Sequence, residues 1–409
     1  MTVTLRTTSV LLITFCATFS AVAQKAFKPV KASLKAAKYE EALKQVEALE
    51  KDSTVNAQPR LYRYGVEANI GINDAENEKI YLKQAYDTVK FFNSTAGIYD
   101  YILKCDKAER LMSEQNGDKP KYRREHAQLV RRYYRNLGAA GRFFFSKEKF
   151  PEAMRMLALY LDMPGQDVWG NDTTARHTQV YRECAYLYLK SAYRSKNYAE
   201  TYRYGQTVLA DTGARRCSAL EYLANSAKAL GDTARYAGYL RMGLASDCDN
   251  PYFFTRMTDA RAERGDYAGA LALADSMARR DSANALYLEA KSLALLNLQR
   301  YDEAIEVSKK CLELDSSLVE VNFYIGAAYC NQGAAIVLPA NINSKTYRQA
   351  ASRQKSLYAA AMPYMERYRK LRPDEASRWA PLLYRIYLSL NKGKQFEEID
   401  KILNTLPKQ

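Results

Sequence analysis

The stretch Ala285–Leu318, ALYLEAKSLALLNLQRYDEAIEVSKKCLELDSSL, decides how this chain is read. Leu288 and Leu295 stand seven residues apart, two helical turns on one face. Tyr301-Asp302-Glu303-Ala304-Ile305 then opens a second amphipathic run that carries Leu312 and Leu314 to Asp315. Two antiparallel helices in 34 residues is the expected unit, and the same frame recurs on either side. Pro251–Asn284 has Phe254, Met257 and Gly265-Asp266-Tyr267-Ala268-Gly269-Ala270. Cys217–Asn250 has Leu220, Leu223, Gly231 and Asp232, and a copy opening at Val319 has Ile325-Gly326 and Tyr329. Starts at 217, 251, 285 and 319 are each 34 residues apart, and a fixed period marks a repeat architecture.

The period extends outward with decreasing regularity. Tyr134–Asp167 fits with Leu137, Gly141, Phe144, Phe150 and Ala153. Glu183–Arg216 fits with Tyr186, Leu189 and Tyr193, then slips by one residue. Tyr39-Glu40-Glu41-Ala42-Leu43 looks like another second-helix start, whereas residues 57–133 are helical in pattern but match poorly. In the copy opening at Val319, Gly333 is expected to end the first helix early. The frame resumes at Tyr358, with Ala361, Tyr364, Tyr368, Leu371 and Pro373 in place. The insert between, 334–357, is expected to project as a loop. Trp379 and Leu382 open a last helix pair ending near Leu406.

These spacings resemble the tetratricopeptide (TPR) family, whose 34-residue pattern is W-x2-L-G-x2-Y, then A-x3-F, then P. The resemblance implies an all-α, TPR-type α-α solenoid, a right-handed superhelix of about nine helix pairs. A single repeat cannot bury its apolar face, so neighbours must stack. The organisation expected is a signal peptide at 1–23, degenerate repeats at 24–133, and TPR-like repeats at 134–216 with a linker near 168–181. Four in-phase repeats follow at 217–375, and a capping pair at 376–409. The 33 tyrosines suit this plan, burying a large ring while keeping a polar tip near water.

The first residues read as an export signal: Arg6, the apolar run Val10–Ala17, and Ala21-Val22-Ala23 before a cut at Gln24. Phe15 precedes Cys16, unlike a lipoprotein cleavage site, where a small residue precedes the cysteine. The chain is thus expected in a periplasmic or envelope space. Six cysteines remain, Cys105, Cys184, Cys217, Cys248, Cys311 and Cys330, with no C-x-x-C pair to suggest a metal or redox site.

Catalytic signatures are missing. His126 and His177, the two histidines, form no H-E-x-x-H pattern. Neither a G-x-S-x-G elbow nor a phosphate loop is present. Gly138-Ala139-Ala140-Gly141 reads as close helix packing. A carboxylate pair needs no motif, so a solenoid glycosidase stays open as an alternative. A carbohydrate-binding helical protein of the outer membrane, similar to TPR-containing nutrient-binding lipoproteins, also stays open.

The resemblance places a partner-binding groove along the first helix of each repeat. In this sequence its positions hold Glu221, Asn225 and Lys228; Tyr252, Thr255, Asp259 and Glu263; Glu289, Leu293 and Asn297; Phe323 and Asn331. With Glu320 the acidic members outnumber Lys228, so the groove suits a protein or peptide with a polar or basic segment. Apolar anchors are expected at Tyr252, Leu293 and Phe323. The alternative is that these are solvated helix faces. No cofactor is implied.

Lys and Arg number 61 against 46 Asp and Glu, a formal charge of +15. Residues 119–149 carry +8 and 345–372 carry +7, which together equal the whole excess. Arg123, Arg124, Arg131, Arg132 and Arg135 fall at helical spacing and would present a basic face to an acidic partner or an anionic membrane; export argues against nucleic acid. The other reading is a solvated outer face. Finally, Cys217 opens the first helix of its repeat and Cys248 closes the second. Antiparallel helices place them at one end, and a disulfide there would contribute about 3–4 kcal/mol.

Overall fold

The computed structural model describes residues 25–117, 119–246 and 251–407, so the expected signal peptide and Cys248 lie outside the described residues. The described chain is all-helical. It holds eighteen α-helices and a few 3-10 turns, arranged as nine successive helix hairpins, and falls into two compact units, one up to Cys248 and one from Asp249.

The first unit contains α1 Lys28–Lys35 with α2 Tyr39–Leu49, α3 Pro59–Tyr81 with α4 Thr88–Asn116, and α5 Arg123–Ser146 with α6 Phe150–Asp162. Next, α7 Gln179–Arg194 pairs with a 3-10 turn Tyr198–Tyr202 and the short α8 Gly205–Leu209, and α9 Gly213–Ala229 pairs with α10 Thr233–Ala245. The second unit contains α11 Tyr252–Ala262 with α12 Tyr267–Arg280, α13 Ala285–Asn297 with α14 Tyr301–Leu314, α15 Val319–Ala334 with α16 Lys345–Leu371, and α17 Ala376–Ser389 with α18 Gly393–Thr405. First helices also pack on the next first helix: α5 on α7, α7 on α9, α13 on α15, α15 on α17. That is TPR-type stacking.

One turn is repeated along the chain. Ala37, Lys83, Glu148, Lys196, Gly231, Gly265, Gln299 and Asn391 all have positive φ, between 54° and 72°. Each follows the end of a first helix. The next residue donates its N–H to a carbonyl five residues back, as Lys38 to Ser33 (2.9 Å), Lys149 to Phe144 (2.9 Å), Asp266 to Arg261 (2.9 Å) and Arg300 to Leu295 (3.0 Å). This left-handed closure satisfies carbonyls that the helix end leaves open. In five cases the second helix then starts on an aromatic: Tyr39, Phe150, Tyr198, Tyr267 or Tyr301.

Small residues set the helix spacing. A Cβ on Gly141 would fall 2.4 Å from Leu157 Cδ2, so Gly138-Ala139-Ala140-Gly141 is a close approach of α5 to α6. At the equivalent repeat position, Ala224, Thr258, Ser292 and Gly326 are all buried. The longest regular hairpin, α3–α4, is unlike a 34-residue repeat, and it buries a polar knot. The Asn73 amide donates to the Phe91 carbonyl (2.9 Å), Ser94 (3.0 Å) and Thr95 (2.9 Å).

α15 closes at Ala334, one residue past Gly333, and the Tyr358 ring sits over Gly333, 3.1 Å from where its Cβ would be. Two expectations are corrected. The insert 334–357 is a loop only as far as Ser344. From Lys345 it is helix, because the run has no Gly or Pro before Pro363 and Ser344 caps it by accepting from the Tyr347 N–H (3.0 Å). The boundaries at 133/134 and 216/217 fall inside α5 and α9, because both helices begin upstream of the repeat frame.

A left-handed residue with a Cβ costs about 1–2 kcal/mol relative to glycine. Gln299→Gly should therefore raise the urea midpoint, by about 0.5–1 kcal/mol after the glycine's greater unfolded-state entropy is subtracted, and Gly265→Ala should lower it by about 1 kcal/mol. Unchanged midpoints in both chains would show that these turns store no strain.

Candidate binding groove

The second unit brings four of the expected groove residues into one pocket of about 210 Å³. Thr255 and Asp259 come from α11, Glu289 and Leu293 from α13. The walls are completed by Phe254, Thr258 and Ala262 of α11, Tyr267 and Ala270 of α12, Leu286, Ala290 and Ala294 of α13, and Tyr324 of α15. Periodicity explains the grouping: first-helix residues four apart share a face, and stacked helices lay those faces side by side.

Glu289 is the chemically distinctive group. It is half-buried and has no hydrogen-bond or ion-pair partner among the described residues. Burial raises its pKa above the ordinary carboxylate value, and the charges of Glu320 and Asp315 raise it further. Glu320 itself is engaged by Arg378, whose guanidinium lies 2.9 Å from it. Asp259 is exposed, with one distant cation, Arg256 at 3.9 Å. The pocket therefore has an apolar and aromatic wall and two carboxylates, one of them uncompensated.

Other expected residues are placed elsewhere. Glu221, Asn225 and Lys228 lie on α9 in the first unit, and Lys228 Nζ rests 6.0 Å from the Tyr236 ring. Tyr252, Asn297 and Asn331 are on first helices and Glu263 is in the turn that follows α11; none of the four lines the pocket. The Asn297 amide turns back to the Leu293 carbonyl (2.9 Å). Phe323 is not an open anchor: Arg378 covers its ring at 4.3 Å and Tyr368 packs against it at 5.1 Å. Of the missed pocket residues, Phe254 and Tyr267 were visible in the repeat frame, whereas nothing in the sequence singled out Tyr324. Tyr324 is buried, and only the gap between α11 and α13 gives it a pocket face.

The arginine face of α5 is also partly consumed. Arg123 makes a paired contact to Asp106 of α4 (2.8 and 3.1 Å), which holds its pKa up. Arg131 bonds Asp172 (2.9 Å) and the Trp169 carbonyl (2.8 Å), and stacks over the Trp169 ring at 4.8 Å. Arg124, Arg132 and Arg135 are exposed. Two of the five arginines are thus struts joining α5 to its neighbours. His126 of the same helix is buried with neither ring nitrogen hydrogen-bonded, and burial lowers its pKa. Among the described residues no cluster of His, Cys, Asp and Glu could hold a metal ion, and no helix is long and apolar enough to cross a membrane.

Cys217 is disulfide-bonded, while Cys105, Cys184, Cys311 and Cys330 are free and buried. Cys248, its expected partner, lies outside the described residues.

No family model and no curated protein matches this chain. Solved structures do. The C-terminal part of a TPR repeat-containing protein from Cytophaga hutchinsonii superposes with a TM-score of 0.41 and 12% identity, covering 64% of this chain and 93% of that one. MamA of AMB-1 gives 0.32 and 20%, over 47% and 93%. Yeast Tom70 gives 0.34 and 10%, over 95% and 93%. Scores of this size establish no shared overall shape. The TPR-type hairpin is carried by the 34-residue register and the recurring left-handed turn.

Arg123→Ala should cost about 1–2 kcal/mol in thermal or urea unfolding, since it strands the nearly buried Asp106, whereas Arg124→Ala should stay within about 0.5 kcal/mol. Equal effects would mean that Arg123 is no strut. Peptide mapping without reductant should recover the Cys217 peptide joined to that of Cys248; a different partner would remove the pairing.

Proposed function

We propose that this protein is a non-catalytic, exported interaction scaffold, and that the pocket between α11 and α13 seats a basic side chain of a partner protein segment. The observation that carries the reading is Glu289: a half-buried carboxylate without a cation, in a pocket whose other walls are apolar. An uncompensated carboxylate in such a place loses hydration for no internal return. An arriving Lys or Arg supplies the missing charge while its methylene stem lies on Leu286, Leu293 and Phe254. The pocket, at about 210 Å³, is smaller than the roughly 300–1,000 Å³ of ordinary small-molecule sites. One long side chain is a better match to it than a sugar or a cofactor.

One observation favours a second reading. Asp259 and Glu289 line the same pocket, and the raised pKa of Glu289 is what a general acid requires. Glycoside turnover abolished by Glu289→Gln would select a carboxylate-pair enzyme and remove the scaffold.

The direct test is fluorescence anisotropy of the chain from Gln24 against a panel of labelled peptides differing at one position: Arg, Lys, norleucine or Glu. Arg and Lys peptides should bind, and Glu289→Gln should weaken them about tenfold or more while leaving norleucine unaffected. The pH dependence has a definite sign. Since the pKa of Glu289 is raised above the ordinary 4.5, lowering pH from neutral protonates it early and weakens binding of the cation; the Glu289→Gln chain should lack that step. No preference for Arg or Lys over norleucine would overturn the proposal.

A further inference from the structure

We propose that the insert joining α15 to α16 is a peripheral membrane-docking element for anionic lipid headgroups. This is independent of the groove. The connection differs from every other hairpin turn in the chain: in place of the left-handed closure stand a loop at 335–344 and about four extra turns of helix. An elaboration of that size on a repeat projects on one face and is free to acquire a function of its own.

Its chemistry is unusual in two ways. No Asp or Glu occurs from Val321 to Met365, while Lys345, Arg348, Arg353 and Lys355 all do. All four cations are exposed and none makes an ion pair among the described residues. Three of them, Lys345, Arg348 and Arg353, form with Gln349, Ser352 and Ser356 a shallow basic or neutral face at spacings of three and four residues. The second half of the same helix is different: there Arg367 donates to the Ser316 carbonyl (3.1 Å), Arg369 pairs with Glu398 and Arg372 lies 3.9 Å from Glu375. Of the cations in that half, Arg367, Arg369 and Arg372 are thus engaged by neighbouring groups, whereas the four on the insert have no ion-pair partner among the described residues.

The loop leading into that face carries exposed aliphatic side chains. Val337 is 87% exposed, Ile342 65% and Leu338 37%, in a protein whose other large aliphatics mostly lie in the repeat core. They sit on a fastened base. Gln354 donates to the Gly333 carbonyl (2.9 Å), Tyr358 covers Gly333, and Asn341–Ser344 is folded by the Asn343 N–H to Asn341 side-chain bond (3.0 Å) and by the Ser344 cap. Apolar side chains held beside unpaired cations, with no acid to repel phosphate, match an anionic bilayer. The aliphatics enter the acyl boundary and the Lys and Arg meet headgroup phosphates. An acidic protein surface would satisfy the cations but give no reason to expose Val337 and Ile342.

The test is co-sedimentation of the chain from Gln24, which keeps every described residue and omits the apolar N-terminal run. Vesicles of phosphatidylglycerol with phosphatidylcholine are compared with phosphatidylcholine alone. Binding to the anionic vesicles only is expected, weakening as salt rises. Neutralising Lys345, Arg348, Arg353 and Lys355 to Gln should reduce it about a hundredfold or more, at about fivefold per cation. Val337→Ser with Ile342→Ser should reduce it about tenfold, and Arg124, Arg132 and Arg135 changed to Gln should leave it unaltered. Circular dichroism checks that each variant keeps its helix. Absence of anionic-vesicle binding by the wild type would overturn the proposal, as would binding that survives neutralisation. Loss on neutralisation with no effect of the serine pair, together with full competition by polyglutamate, would overturn it in favour of an acidic protein partner.

Discussion

The left-handed residue after each first helix is the constraint on which the rest depends. A hairpin of two helices can present the same face in every repeat only if the chain reverses through the same angle each time. Here the reversal is a single positive-φ residue followed by an N–H that reaches five residues back. With the turn set, the second segment starts two residues later in seven of the eight cases, and Gly141 and Gly326 find themselves opposite Leu157 and Met365. Six of the eight turns use a residue with a Cβ, so local strain of about 1 kcal/mol apiece is accepted where the stacked cores outweigh it.

Two regions depart from this regularity. In the segment after α6 the second helix gives way to 3-10 turns around Trp169, and Arg131 is drawn in to hold them. Between α15 and α16 the turn is replaced outright, and the freed chain carries unpaired cations and exposed aliphatics. Regular turns leave no spare residues; only a departure from them yields a surface whose composition is not dictated by packing.

The 34-residue register made the fold legible from Ala285–Leu318 outward because TPR-type packing demands the same residue sizes at the same positions. It made Thr255, Asp259, Glu289 and Leu293 legible as neighbours for the same reason. What it left hidden depended on partners outside the repeat. Phe323 occupies a groove position in register, yet Arg378, two helices later in sequence, covers it. Arg123 and Arg131 have the spacing of a basic face, yet Asp106, Trp169 and Asp172 bind them through contacts that no local pattern encodes. Residues 345–357 looked like loop only because they broke the frame; their helix propensity and the Ser344 cap were local signals that pointed the other way.

Net charge is a poor guide here for a related reason. The +15 of the chain resides in residues 119–149 and 345–372, and in the second unit the groove and the insert carry opposite charges. The groove pocket presents Asp259 and Glu289, while the insert presents four cations and no acid. Glu289, half-buried, carries the hydration cost of an unpaired carboxylate, whereas the four cations of the insert are exposed and keep their water. Pairing exposed charges would add little, about 0–1 kcal/mol each, so only the pocket carboxylate leaves a deficit that a counter-charge from outside would remove.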